Sequence, residues 1–340
     1  SILNASGYRT GLYTSPHLVD LRERWMIAGA MIEPELLQQS IEALRDAAAR
    51  ANIEPTYFEA LTIVAFIAFA RAQCDVVVLE VGMGGRLDAT NVVRPVAALI
   101  TPVGFDHMEF LGDTLRKIAF ERAGVIHRGA IVLTSNVEPI VLDVLRRRAG
   151  KFGNVFHVVR GDASTQTPLA GDFQRDNIAL AARAALELAP QFPNITEETI
   201  ARGIASTKWR GRLEHLRARG KDIWIDGCHN AHAATAVAPF IEKNIPRPRT
   251  LVFGIMSDKD VDDVTRVLYP LFDRIITTEP YPPRSADARL LARPANAIAE
   301  PDPRTALERA LESDTRSIFV GGSLYLAGAA IEFFDKIAPI

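Results

Sequence analysis

Two hydrophobic patterns alternate along the chain and predict its secondary structure. Short continuous apolar runs, such as DVVVLEVG (75–82) and VAALIT (96–101), predict parallel strands that are covered on both faces. Segments with apolar residues at helical spacing predict helices, among them PELLQQSIEALRDAAARA (34–51) and YFEALTIVAFIAFARA (57–72). The second of these is apolar nearly all round, so we expect it to be buried. Strands that alternate with helices indicate an α/β protein with right-handed crossovers.

The alternation is interrupted once, at a polar stretch that ends in STKWRGRLEH (206–215), and then restarts. In this second half the predicted strands are DIWIDG, TLVFG, RIITTE and SIFVGG, with helices between and after them. The length of 340 residues also favours more than one core. We therefore predict two domains, 1–208 and 212–340, with a hinge near residues 209–212. The first is expected to hold a mostly parallel sheet, and the second to be Rossmann-like.

Composition narrows the class of protein. Apolar residues make up 48% of the chain and charged residues 24%, as in ordinary globular enzymes. The net charge of −2 gives no electrostatic reason to expect nucleic acid or an anionic membrane as a partner. The longest apolar stretch, 60–70, is too short to span a bilayer. Because the two cysteines, Cys74 and Cys228, lie in separate segments, we expect no disulfide framework and a cytoplasmic location.

Polar side chains stand where several predicted strands end. In chain order they are Ser15, Glu80, Asp106, His107, Asp226, His229 and Asn230. Ligands of open α/β sheets bind beyond the carboxyl ends of the strands, so these positions are candidates for chemistry. A hydroxyl, a carboxylate and an imidazole from neighbouring strand ends can bind Mg²⁺, which takes few protein ligands and keeps waters and phosphate oxygens.

Several of these residues also have a purely structural interpretation. Ser15 alone is more often a turn or cap residue, and His107 alone is more often a hydrogen-bonded structural histidine. Asp226 could cap the helix that follows it. The glycines after Glu80 could simply form a tight turn. Glu80 itself is harder to dismiss, because a carboxylate at the end of an apolar run must find a partner or remain costly.

Seven longer motifs carry a resemblance to a known family. YTSPHL, TYFEALT, LEVGMGGRLDATN, GFDHMEFLG, WRGRLE, DGCHNAHA and FGIMSDKD occur in the order and rough spacing of the folylpolyglutamate synthase/dihydrofolate synthase family of the Mur ligase superfamily. The resemblance covers essentially the whole chain. It implies an N-terminal ATPase-like domain of the Mur ligase central type and a C-terminal glutamate ligase domain. It also implies an ATP-dependent amide ligase, in which ATP phosphorylates a folate or dihydropteroate carboxylate and L-glutamate attacks the acyl phosphate.

The resemblance assigns roles to individual residues. Ser15 and Glu80 resemble the family's magnesium ligands, and His107 resembles its ligand for a second magnesium. The residues that resemble those reaching the nucleotide are Gln174, Asn177, Arg212, Asp226 and His229. The candidate catalytic residues are His107, Arg122, Asp226 and His229. Mg²⁺ is the expected cofactor and ATP the co-substrate, because metals and cations stabilise the charge that acyl phosphate formation concentrates.

The chain departs from the family pattern in three places. The phosphate loop GTNGKGS is absent, and no GxxxxGK[ST] occurs. Since Ser1 stands close to where that loop should end, we expect truncation or disorder, and we expect this chain by itself not to turn over ATP. Arg122 replaces the lysine of EKAG, which in relatives is carbamylated and helps bind the second magnesium; an arginine has no acceptor. Phe173 and Ala231 replace the usual His and Pro.

Two other functions remain open at this point. One is a degenerate, non-catalytic nucleotide- or folate-binding homologue that has lost both the loop and the lysine. The other is a related Mur-type ligase for a cell-wall precursor, although SPHL and GGRLDATN favour the folate branch. The expected partners are ATP, L-glutamate and folate or dihydropteroate, with no nucleic acid and no membrane, and we expect a monomer.

Overall fold

The computed structural model describes residues 1–162, 164–295 and 297–337. The chain divides into two compact units. The first contains Ser1–Pro168 and Arg175–Thr207, and the second contains Leu169–Gln174 and Lys208–Ile340. The second unit thus resumes close to the predicted hinge, and the domain limits 1–208 and 212–340 stay a prediction. Within the described ranges, no helix is both long enough and apolar enough to cross a membrane.

The first unit contains two sheets and most of the longer helices. Its strands are β1 (Thr10–Tyr13), β2 (Trp25–Ile27), β3 (Ala30–Met31), β4 (Val76–Leu79), β5 (Ala97–Ile100), β6 (Ile131–Thr134) and β7 (Phe156–Val158). Its helices are α1 (Ile2–Ala5), α2 (Pro34–Ala51), α3 (Tyr57–Arg71), α4 (Met108–Leu111), α5 (Leu115–Arg122), α6 (Pro139–Phe152), α7 (Phe173–Leu188) and α8 (Glu197–Ala205). The first two residues of α7 group with the second unit.

The first sheet has the order β3-β2-β1-β4 and brings the first two candidate residues to one edge. β1 runs parallel to β4, while β2 and β3 are antiparallel neighbours. Helix α3 begins at Tyr57 because Thr56 and Glu59 form a reciprocal capping box. Its apolar residues pack with Tyr13 and Trp25 in one buried cluster, but Tyr57 and Ile63 stay 66% and 37% exposed, so α3 is only partly buried.

The second sheet has the order β5-β6-β7 and is parallel throughout. Helices α5 and α6 supply the buried residues that pack with β5 and β6, including Ile118, Val141 and Leu145. Parallel strands with intervening helices confirm the predicted α/β class for this unit.

The described strands of the first unit form two sheets, in which β1–β4, β5–β6 and β6–β7 pair parallel and β1–β2 and β2–β3 pair antiparallel. One expectation for this unit is wrong. The apolar run before Glu80 is not covered on both faces, since Val77 and Val78 stay 38% and 42% exposed. β4 is an end strand of its sheet, and this position leaves part of its surface open.

The second unit is built on one six-stranded sheet. Its strands are β8 (Glu214–Ala218), β9 (Lys221–Ile225), β10 (Arg249–Phe253), β11 (Arg274–Thr277), β12 (Ile298–Ala299) and β13 (Ser317–Gly321). Its helices are α9 (Ala231–Asn244), α10 (Val261–Leu268), α11 (Ala288–Ala292), α12 (Pro303–Glu312) and α13 (Leu324–Ile337). The order is β12-β11-β10-β13-β9-β8, and every pair is parallel except β8 with β9.

The antiparallel pair β8–β9 is a hairpin that the hydrophobic pattern does not predict. Arg219 and Gly220 form its two-residue turn, and both have positive φ, as a type I′ turn requires. The hairpin places the segment just before β8 beside the carboxyl end of β9. The four strands predicted in this half are confirmed as β9, β10, β11 and β13.

Candidate functional site

Ser15 and Glu80 approach each other at the carboxyl edge of the first sheet. β1 and β4 pair in register, with Tyr13 beside Leu79, and the Glu80 N–H donates to the Tyr13 carbonyl over 2.9 Å. Two residues after the end of β1, the Ser15 N–H donates to Glu80 Oε2 over 2.8 Å. The carboxylate is therefore oriented by the backbone of the serine predicted to share its metal.

The glycine loop after Glu80 is shaped by close packing against two helices. A Cβ on Gly82 would lie 2.3 Å from the Phe58 ring of α3, so a side chain at this position would require that ring to move. Gly85 has a φ of 155°, and a Cβ there would lie 3.0 Å from the Glu121 carbonyl of α5. The Arg86 N–H donates to that same carbonyl over 2.9 Å. The glycines thus fix the path of the chain that leaves Glu80.

His107 has an unusual backbone conformation next to an acidic neighbour. Its φ of 50° lies in the left-handed region, where a non-glycine residue is uncommon. Asp106 Oδ1 accepts the His107 N–H over 2.9 Å and lies 3.9 Å from its Nε2. A strained backbone that is held in place by a neighbouring side chain is typical of functional positions and supports the interest in His107.

Arg122 is the last residue of α5; its side chain is partly exposed, and its Nε is buried. Burial lowers the pKa of Arg122, and the negative charge of Asp106 acts in the opposite direction. The adjacent Glu121 is engaged elsewhere, because Arg86 Nε lies 3.0 Å from its Oε2. Asp106 is the acid whose charge acts on Arg122.

The candidate residues of the first unit differ in how well their side chains suit magnesium. In the part of the chain that the structure describes, no three His, Cys, Asp or Glu side chains are grouped so that they could hold a metal ion. Ser15 and Glu80 offer a hydroxyl and an oriented carboxylate, which fits a Mg²⁺ ion that keeps waters and phosphate oxygens. Arg122 offers no acceptor and fits no metal.

Asp226 is a buried carboxylate in the second unit, only 3% exposed, directly after β9. Its Oδ2 accepts the Leu213 N–H over 2.9 Å, and its Oδ1 accepts the Cys228 N–H over 2.8 Å. Burial raises the pKa of Asp226, while the positive charge of Arg212 and these two N–H groups lower it. The structural alternative is wrong, because Asn230, and not Asp226, caps α9.

Arg212 and His229 meet around Gly227. A Cβ on Gly227 would lie 2.8 Å from Arg212 Nη1, so the glycine allows the guanidinium to approach the backbone after Asp226. His229 Nδ1 lies 3.0 Å from the Gly227 carbonyl oxygen. Asp226, Arg212 and His229 are therefore neighbours within one unit, whereas the sequence places Arg212 far from the other two.

Gln174 and Asn177 lie one turn apart on the first turns of α7. Gln174 is 5% exposed, and its N–H donates to the Gly171 carbonyl over 3.0 Å. Residues three positions apart lie on one face of a helix. Their assignment to the nucleotide stays a prediction.

The sequence motifs did not single out a pair of tyrosines in the second unit. Tyr281 follows β11 and Tyr325 follows β13, and their rings stack with centroids 4.8 Å apart. Ser323, beside Tyr325, is 1% exposed and caps α13 by accepting the Leu326 N–H. The sequence offered one indication of this pair, because each tyrosine follows the end of a predicted parallel strand.

Family models cover both units of the chain. The model described as Mur ligase middle domain matches residues 28–130. The model described as Mur ligase, glutamate ligase domain, matches residues 211–324. The first match contains Glu80, His107 and Arg122, and the second contains Arg212, Asp226 and His229.

The chain is similar to curated folate enzymes over most of its length. It is 31% identical to a folylpolyglutamate synthase of Lacticaseibacillus casei, over 96% of this chain and 84% of that protein. It is 37% identical to a probable bifunctional folylpolyglutamate synthase/dihydropteroate synthase of Halobacterium salinarum, over 86% of this chain. The chain spans only 38% of the length of that bifunctional relative.

A solved structure with bound ligands shares the fold. Escherichia coli FolC in complex with DHPP and ADP superposes with a TM-score of 0.88 at 28% identity. The superposition covers 99% of this chain and 84% of the E. coli chain. The similarity therefore includes both units and is not limited to one matched domain.

Proposed function

Because the chain belongs to the folylpolyglutamate synthase/dihydrofolate synthase family of the Mur ligase superfamily, we propose that it is an ATP-dependent glutamate ligase. Its acceptor is the carboxylate of a folate or a dihydropteroate. The observation that carries this proposal is the similarity to the L. casei enzyme over 96% of the chain. The E. coli relative, which is solved with ADP and DHPP, supports the same classes of ligand for this chain.

The proposed reaction has two steps. An oxygen of the acceptor carboxylate attacks the γ-phosphorus of ATP, the bond from that phosphorus to the bridging oxygen breaks, and ADP leaves. The α-amine of L-glutamate then attacks the acyl carbon of the acyl phosphate. Inorganic phosphate leaves with the electron pair of the broken C–O bond, and the nitrogen loses a proton to give the amide.

The first unit is proposed to handle the phosphates. The Ser15 N–H orients the Glu80 carboxylate, and the Ser15 hydroxyl would be a second protein ligand for Mg²⁺. A Mg²⁺ ion bound there would neutralise charge on the phosphate oxygens. His107 is assigned to the same phosphate end of the site on the basis of its motif and its strained backbone.

The second unit is proposed to contact the nucleotide through Arg212, Asp226 and His229. Their close grouping around Gly227 supports this assignment. Burial raises the pKa of Asp226 above its usual range, and the Arg212 charge and two backbone N–H groups act against that rise. Gln174 and Asn177 are assigned to the nucleotide by their motif alone.

The other two candidate functions are less well supported. A degenerate homologue is suggested only by Arg122 and the absent loop motif, and the Ser15–Glu80 contact argues for an intact metal position. A cell-wall ligase lacks support because the curated relatives named above are folate enzymes. A monomeric state, a cytoplasmic location and the inactivity of the chain by itself stay predictions; both cysteines are free.

The direct test is ADP formation with full-length protein, ATP, Mg²⁺, L-glutamate and one acceptor at a time. We expect release of ADP that depends on both glutamate and a folate or dihydropteroate acceptor. ADP release that is unaffected by omission of the acceptor would contradict the proposal. Assaying each acceptor separately also shows whether the enzyme uses dihydropteroate, folylglutamates or both.

Glu80→Gln is the sharpest variant for this assay. The amide oxygen can still accept the Ser15 N–H, while the charge that binds Mg²⁺ is lost. We expect turnover to fall roughly 10²–10³-fold, the usual effect of removing one transition-state interaction. Glu35→Gln, in the exposed first turn of α2, is the matched control and should leave the rate unchanged. Equal rates for both variants would remove Glu80 from the metal site.

A further inference from the structure

Arg122 occupies the position where the family resemblance implies a ligand for a second magnesium. A guanidinium presents five N–H donors and no acceptor, and it stays positively charged. It can neither bind a metal nor be carbamylated as the family's lysine is. The residues present here therefore do not fit a second Mg²⁺ ion, although Ser15 and Glu80 fit the first.

The backbone of Arg122 lies against the glycine loop that leaves Glu80. A Cβ on Gly85 would lie 3.1 Å from the Arg122 carbonyl oxygen and 3.0 Å from that of Glu121. A Cβ on Gly84 would meet Leu111, which follows the His107 motif on α4. The end of α5 is thus packed on the segment that connects Glu80 to the rest of the candidate site.

The guanidinium of Arg122 has hydrogen-bonding capacity that the protein does not use. Its Nε is buried and has no hydrogen-bond partner among the described residues. Glu121, the neighbouring acid, is held by Arg86 through Nε at 3.0 Å and Nη2 at 3.1 Å. A buried cationic donor without a partner is costly, and such groups are usually satisfied in the functional state.

Asp106 is the acid whose negative charge acts on Arg122, and its Oδ1 lies 3.9 Å from His107 Nε2. A Mg²⁺ ion held at His107 would therefore add a second positive charge close to the same carboxylate. Two positive groups around one acid repel each other, whereas one positive group and a phosphate oxygen attract. The charge arrangement favours an anion beside Arg122 over a further metal ion.

We propose that Arg122 replaces the second magnesium, donating to a phosphate oxygen of bound ATP while a single Mg²⁺ ion binds at Ser15 and Glu80. This inference rests on the proposed ligase function. Arginine is well suited to the role because its planar group donates two parallel hydrogen bonds to phosphate. The enzyme would then stabilise the transferred phosphoryl group with one metal and one fixed cation.

The number of bound metal ions tests the inference without relying on turnover. Mn²⁺ binding to full-length protein is counted by electron paramagnetic resonance in the presence of the non-hydrolysable analogue AMPPCP. We expect one Mn²⁺ ion in the wild type and two in Arg122→Lys when bicarbonate is supplied for carbamylation. Arg116→Lys, an exposed arginine on the same helix, is the matched control and should bind one. Two ions of similar affinity in the wild type would overturn the inference.

Arg122→Gln provides a second readout that does not depend on carbamylation. Removing a charge-assisted hydrogen bond to the terminal phosphate should weaken AMPPCP binding roughly tenfold or more, with little change for ADP. Equal loss for both nucleotides, or no loss, would contradict a contact to that phosphate. If the wild type ligates glutamate but binds two Mn²⁺ ions, the inference about Arg122 is overturned and the ligase function stands. Failure of the wild type to bind nucleotide and to ligate glutamate would overturn the ligase function as well.

Discussion

Gly124 is a single residue at which the loop after Glu80 packs tightly against the end of α5. It lies in the short helical turn that follows α5, and it is buried. A Cβ at this position would lie 2.2 Å from the Arg86 Cα and 2.6 Å from the Arg86 nitrogen. These are backbone atoms, so the clash cannot be relieved by rotating a side chain. The glycine is therefore required for the loop after Glu80 to rest on α5.

Gly124→Ala should destabilise the protein by about 1–3 kcal/mol, the usual cost of overpacking a filled interior. The control is Gly150→Ala on α6, where a Cβ would meet no atom within 4 Å. That change should be neutral or stabilise by about 0.5–1 kcal/mol, because alanine is the better helix former. Urea unfolding of both variants measures the difference. Equal stabilities would show that the loop can move away from α5 at little cost.

The sequence predicts only part of the chemistry of individual residues. Ser15 and Glu80 could be placed together because both stand at the ends of predicted parallel strands. The contact of Asp226 with the Leu213 N–H could not be predicted, since it depends on the β8–β9 hairpin. The glycines after Glu80 suggested a tight turn. Their contacts with Phe58 and α5 show that packing within the protein also requires them.

Arg210 joins two elements of the second unit, because it connects the WRGRLE motif to α13. Its Nη1 and Nη2 lie 2.7 and 2.9 Å from the two Asp335 oxygens, and its Nε donates to Glu214 of β8 over 2.9 Å. This bidentate contact fixes the segment that carries Arg212 against the last helix of the unit. Arg210 was not among the predicted site residues, because its partner lies 125 positions away.

Asp335→Asn tests this link through its pH dependence. The hydrogen bond from Arg210 lowers the pKa of Asp335 below its usual 3.8. The ionised acid therefore stabilises the fold above pH 3.8, and this stabilisation is lost as the pH falls through the lowered pKa. Because both side chains are about half exposed, the effect at neutral pH should be at most about 1 kcal/mol.

The measurement is urea unfolding of wild type and Asp335→Asn at neutral pH and below pH 3.8. The two proteins should differ at neutral pH and converge in acid. Asp314→Asn is the control, because Asp314 is 83% exposed and its only described ion pair is with Arg274. A difference that is constant across the pH range would mean that the charge of Asp335 does not contribute.

Elements were predictable where their hydrophobic pattern was strong. The apolar runs of β9, β10, β11 and β13 identify buried strands, and the structure confirms all four. β8 is the end strand of its sheet and has the sequence EHLRA, which is mostly polar. It therefore contains no continuous apolar run from which a strand could be predicted. β12 has only two residues and depends on its neighbour β11. Short end strands are specified by tertiary pairing more than by local pattern.

At the scale of the whole molecule, the chain divides its candidate chemistry between two units. The first holds the proposed metal position at Ser15 and Glu80, and the second holds the Arg212, Asp226 and His229 group. Both units match Mur ligase models, and a ligand-bound relative shares the fold across 99% of the chain. A reaction with a phosphorylated intermediate requires groups that bind phosphate and groups that bind nucleotide, and this division of residues is consistent with that need.

The transfer of a labelled oxygen tests the proposed ligase reaction most directly. Full-length protein is incubated with ATP, Mg²⁺, L-glutamate and an acceptor whose carboxylate oxygens carry a heavy isotope. An acyl phosphate intermediate predicts a new glutamyl amide and one labelled oxygen in the inorganic phosphate released with it. Formation of the amide with unlabelled phosphate would exclude the acyl phosphate. Absence of any glutamyl amide with both folate and dihydropteroate acceptors would contradict the ligase function itself.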